Sequence, residues 1–138
     1  MKHIFFILAA LLFLAGCKQA EITNNPTSKI LSQSSMQLNL DKNIYHSNEQ
    51  MNITVQIETN KTAENANIKV YGIYASRNRL NLSKTTNLSE GNNLILFEYK
   101  TPSCNTCSGI RPGMYDITAE VEYNGTMTKE TKQIEIQQ

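Results

Sequence analysis

"MYDITAEVEY", residues 114–123, is the stretch on which the fold turns. Its apolar residues recur at every second position: Tyr115, Ile117, Ala119, Val121 and Tyr123 share one face, and Asp116, Thr118, Glu120 and Glu122 share the other. Successive side chains of a β-strand point to opposite sides, so this pattern predicts a strand with one face on a core and the other in water. A helix would need apolar residues three and four apart. "MNITVQIET", residues 51–59, repeats the alternation, with Met51, Ile53, Val55 and Ile57 inward and Asn52, Thr54, Gln56 and Glu58 outward.

Weaker strands fill in around these two. "MQLNLD" (36–41) offers Leu38 and Leu40, and "NIKVYGIYAS" (67–76) sets Ile68 and Val70 against Tyr71 and Ile73. "NLILFEYK" (93–100) is a nearly continuous apolar run, and "TKETKQIEIQ" (128–137) stays polar until Ile134 and Ile136, which suits an edge strand. Turn signals separate them at "DKNIYHSNE" (41–49), "NKTAENAN" (60–67), "SEGNN" (89–93), "TPSCNTCSGIRPG" (101–113) and "YNGT" (123–126). Short alternating strands with turns at this spacing predict an all-β sandwich. Thr, Asn, Ile and Val dominate the region, so no helix is expected in it.

The chain begins differently. "MKHIFFILAALLFLAGCKQ" has a basic start at Lys2 and an unbroken apolar run over residues 4–15. Spanning a bilayer takes about 20 apolar residues, so the run fits the central region of an export signal instead. "LAGC" at residues 14–17 resembles the lipobox of bacterial and archaeal lipoproteins. The resemblance implies that Cys17 receives a diacylglyceryl group and becomes the first mature residue, and that the protein is extracytoplasmic, held to the cell membrane by lipid on Cys17. Residues 1–16 are then a lipoprotein signal peptide and 17–35 a lipidated N-terminus and flexible linker, polar and interrupted by Pro26. A short helix or an extra edge strand around Ile30 and Leu31 is the competing reading of that segment.

Residues 36–138 resemble the immunoglobulin-like or fibronectin-like modules of microbial surface proteins. "NLSEGNNLILFEYKTP" (87–102) looks like their strand with a glycine turn before it and a proline after. "PGMYDITAEVEYNG" (112–125) looks like their penultimate strand, which implies that Tyr115 forms a structural corner by hydrogen bonding to nearby backbone. The implied fold is a single immunoglobulin-like antiparallel β-sandwich of about seven strands. The chain has no Trp, and its later cysteines are too close in sequence to bridge two sheets, so the antibody-type core is absent.

Thirteen basic residues stand against twelve acidic ones, and one of the basic set, Lys2, belongs to the leader. So even a balance offers no basic stripe for nucleic acid. No cofactor motif and no metal-ligand spacing is present, and beyond the leader the single histidine, His46, falls in a polar turn. These residues predict no enzymatic activity; binding a protein or polysaccharide partner, or a structural role, is the expected work. The triplets beginning at Asn52, Asn60, Asn81, Asn87 and Asn124 match glycan acceptors.

Cys104 and Cys107 form the remaining chemical feature. A redox C-x-x-C sits at a helix start, which lowers a thiol pKa, and Pro112 with Gly113 leaves no room for such a helix. A structural metal site needs four N or S ligands. A disulfide across a four-residue turn satisfies both geometry and an exported setting, and restricts the unfolded chain by only about 2 kcal/mol. The expected role is a loop brace; the alternative is a thiol-disulfide or metal-handling protein acting through this pair.

Overall fold

A computed structural model describes residues 35–104 and 110–138. Eight strands form two sheets: β1 (Ser35–Leu40), β2 (Ile44–His46), β3 (Gln50–Thr59), β4 (Ala63–Ala75), β5 (Arg77–Leu88), β6 (Gly91–Lys100), β7 (Gly113–Tyr123) and β8 (Thr126–Gln137). One sheet has the order β1-β3-β6, the other β2-β8-β7-β4-β5. Every pairing is antiparallel except that of β2, which runs parallel to the last residues of β8. The leader, Cys17 and the linker before Ser35 lie outside the described residues.

Alternation places the core where the sequence puts it. Met51, Ile53, Val55 and Ile57 of β3 are buried, as are Ile117, Ala119 and Val121 of β7, while Tyr115 and Tyr123 are half-buried. Leu38, Ile95 and Phe97 complete the inner face of the smaller sheet, and Ile68, Val70, Ile134 and Ile136 that of the larger. Each such side chain contributes about 1.5–3 kcal/mol on burial, most of it offset by the entropy of ordering the chain.

Three regions depart from the alternating pattern. β2 lies inside the segment expected to be a turn; its three residues bury Tyr45 and lie along β8, so β8 is covered at its apolar end and open only along its polar half. β5 occupies a stretch in which the sequence pattern places no strand. In β4 the buried positions Ala66, Ile68 and Val70 give way to Ile73, because the backbone kinks at Gly72 (φ +153°) and Ile73 (φ +52°) and turns Ile73 into the core. Glu120 points outward as expected yet is buried. Register sets Lys69 of β4 on one side of it and Lys129 of β8 on the other, with Nζ–O separations of 3.8 and 2.7 Å, and their stems cover it. Asn124 (φ +49°) and Gly125 (φ +73°) form the two-residue turn between β7 and β8, where both positions require positive φ.

These registers sort the connections into two ends. The turn from β1 to β3, the tip between β4 and β5, and the connection from β6 to β7 gather at one end. The start of β1 and the β7–β8 hairpin gather at the other, where Ser35, Ile57, Val121, Tyr123 and Thr128 line a shallow depression. The chain therefore enters the sandwich at the end opposite the cysteine loop.

Candidate functional site

The loop end is built around polar side chains tying three segments together. Tyr45 is fully buried, and its hydroxyl donates to Asp41 Oδ1 at 2.6 Å while accepting the Lys42 N–H at 3.0 Å. Asp41 also accepts from the Asn52 N–H at 2.9 Å and from Asn52 Nδ2 at 3.2 Å. Burial alone would raise the Asp41 pKa; the hydrogen bonds from Tyr45 and Asn52 outweigh it and hold the carboxyl below its ordinary value. Burial, reinforced by the bond to Asp41, pushes the Tyr45 hydroxyl well above the usual phenol range. This knot fixes the path from β1 into β2.

Glu49 closes the turn. Its carboxylate accepts from the Lys42 ammonium and from the His46 N–H at 2.6 Å, which together lower its pKa to about 2. His46 itself is exposed, with Nδ1 3.5 Å from Glu49 Oε2. A carboxyl lowered in the folded state stabilises the fold above its unfolded pKa, and that contribution is lost as pH falls from about 4.5 to about 2. Nuclear magnetic resonance titration is expected to place the Glu49 midpoint near the lower value. Glu49→Gln should flatten that part of the acid-stability curve.

The same turn holds the start of the cysteine loop. Thr101 N–H donates to the Glu49 carbonyl at 2.8 Å, and Thr101 Oγ1 donates to the His46 carbonyl at 2.6 Å while accepting the Glu49 N–H at 2.8 Å. Cys104 N–H donates to Ser47 Oγ at 2.8 Å, and Ser47 N–H donates to the Gln137 carbonyl at 3.0 Å. On the far side of the loop Ile110 is buried, and the Tyr115 hydroxyl donates to the Arg111 carbonyl at 2.6 Å while accepting the Arg111 N–H at 3.2 Å. Cys104 and Ile110, the described residues on either side of 105–109, are thus both held to the domain.

Cys104 is buried and makes no disulfide among the described residues, and burial raises the pKa of its thiol. Its expected partner Cys107 lies outside the described residues. An activated thiolate needs the opposite shift. Among the described residues no three His, Cys, Asp or Glu side chains come together in an arrangement that could hold a metal ion.

The five asparagines are scattered and do not form a site. Asn52, Asn81 and Asn87 lie within strands, Asn60 and Asn124 in turns, and all five are exposed. The Asn52 amide is engaged with Asp41, and Asn87 Oδ1 accepts the Asn65 N–H at 3.0 Å.

Sequence reasoning missed the knot of Asp41, Tyr45, Glu49 and Thr101. The available signal was Tyr45, a large aromatic residue in an otherwise polar turn, four residues after an acid that its hydroxyl could reach.

No protein-family model matches the chain, and no curated protein matches it. Solved structures do. A CARDB domain from Pyrococcus furiosus, determined in complex with di-metal ions, superposes with a TM-score of 0.53 at 14% identity, over 76% of this chain and 88% of that one. The sporulation control protein Spo0M of Bacillus subtilis superposes at 0.54 and 11% identity, over 76% of this chain and 49% of its own. The C-terminal domain of Wzt gives 0.52 at 8% identity, over 76% and 74%. At such identities the likeness concerns the fold alone: the chain is an immunoglobulin-like β-sandwich of the kind found in CARDB domains.

Proposed function

We propose that this protein is a lipid-anchored envelope lipoprotein whose sandwich works by binding or as a structural element, without catalysis. One observation carries the reading: "LAGC" stands in register behind a basic start and an apolar run too short to span a bilayer. Cys17 holds the lipid, residues 17–35 form the tether, and the tether joins the domain at the start of β1. The loop end with Cys104 lies at the end of the sandwich opposite the tether, where a protein or polysaccharide could reach it. Cys104 and Cys107 close the loop as a brace, which limits the ordering entropy lost when such a loop binds.

The thiol-handling alternative finds less support, because burial raises the Cys104 pKa. The metal ions of the Pyrococcus domain are a property of that protein; no comparable ligand cluster exists among the described residues here.

Metabolic labelling with a fatty-acid analogue is expected to mark the wild-type protein. Cys17→Ser should lose the label and leave the membrane fraction. Equal labelling of the two chains would contradict the anchor.

A further inference from the structure

Four outermost strands bound the two sheets, together with the half of β8 that β2 leaves open, which carries Lys129, Glu130 and Lys132. Of the four, three are protected. β1 is closed from the opposite sheet, its Leu38 N–H donating to Glu130 Oε2 of β8 at 2.9 Å. β2 is three residues long, and β5 carries Arg77, Arg79 and Lys84. Short strands, basic side chains and covering groups are how sheets avoid joining one another. β6 carries charge only near its end, at Glu98 and Lys100, and none along its middle. It is ten residues long, pairs only with β3 among the described residues, and exposes Leu94 (60%) and Leu96 (66%).

Its free backbone groups belong to the same residues. Asn52 of β3 turns both its peptide groups toward β1, its carbonyl accepting the Asp41 N–H at 3.2 Å and its N–H donating to Asp41 Oδ1 at 2.9 Å. Asn52 stands opposite Glu98, so theirs is a non-hydrogen-bonded pair. By alternation Asn92, Leu94, Leu96 and Glu98 direct N–H and C=O away from β3, toward the open edge.

We propose that β6 pairs antiparallel with β6 of a second copy, about a two-fold axis through Ile95. In that register Leu94 meets Leu96 of the other copy, twice over, in hydrogen-bonded pairs. The charges agree: Glu90 and Lys100, both exposed and each five residues from Ile95, come opposite one another at both ends. Glu98 faces Asn92, so no like charges meet across the seam. The two three-stranded sheets become one of six, and because the contact is isologous it closes at two copies. The inference rests on residues 90–100 and is independent of the lipid anchor.

Sedimentation equilibrium of the full chain in neutrally buoyant detergent tests it. The wild type is expected to dimerise reversibly with concentration. Leu94→Lys with Leu96→Lys should weaken the dimer on the order of thirtyfold or more, through two lost apolar pairs and new repulsion, with an unchanged circular dichroism spectrum. Glu90→Lys and Lys100→Glu should each weaken it, and the two combined in one chain should restore it. A wild type that stays monomeric, a dimer indifferent to the lysines, or a charge swap without restoration would each overturn the proposal.

Discussion

Gly72→Ala is expected to cost the fold about 4 kcal/mol or more, the range of severe core lesions. A Cβ at this position would stand 2.1 Å from the Asp116 carbonyl oxygen and 3.0 Å from Ile117 Cα. Both atoms are backbone of β7, the middle strand of its sheet, so no side chain can swing aside. The φ of +153° adds a conformational cost of its own, and relaxing it would pull Ile73 out of the core. Gly125→Ala is the matched control. Its φ is +73° but a Cβ would meet nothing within 4 Å, so only the left-handed backbone is penalised, by about 1–2 kcal/mol. Denaturant unfolding followed by far-ultraviolet circular dichroism should separate the two; similar losses would contradict the close approach of β4 and β7.

Val121→Asp and Val55→Asp are expected to unfold the domain. Val121 is 1% exposed on the middle strand of the larger sheet and Val55 fully buried in the smaller, so each change places an unpaired carboxyl between the sheets. Such a group costs several kcal/mol even after it takes up a proton, a large share of the stability of a domain this size. Gln56→Asp, one residue along β3 on the outer face, should be mild. A Val121→Asp chain melting like the wild type would mean that the face assigned to β7 is wrong.

The readable parts of this fold are those where one strand's own sequence decides its environment. β3 and β7 alternate cleanly because each has one face on the core. β5, "RNRLNLSKTTNL", buries only Leu80 and Leu88 and borders solvent along a whole edge, so its sequence carries almost no periodic signal. β2 was hidden by brevity, since its place depends on pairing with β8, about ninety residues further along the chain. Glu120 shows the same limit: its outward direction follows from alternation, but its burial follows from Lys69 and Lys129, which only the register brings beside it. At the loop end, the Tyr115 position was marked by the strand that follows it, whereas the Glu49–Thr101 contact joins residues about fifty apart and leaves no local trace.

The parity of β6 has a similar origin. "LILF" looks uniformly buried, as in a strand covered on both faces. The structure covers one face only, which is why Leu94 and Leu96 remain exposed while Ile95 and Phe97 do not.

The most direct measurement of the proposed role is the intact mass of the protein recovered from its native membranes. A chain that begins at Cys17, carries a diacylglyceryl group, and is two hydrogens lighter for a Cys104–Cys107 pair is the expected species. A chain that retains residues 1–16, or begins elsewhere with no lipid, would contradict the account.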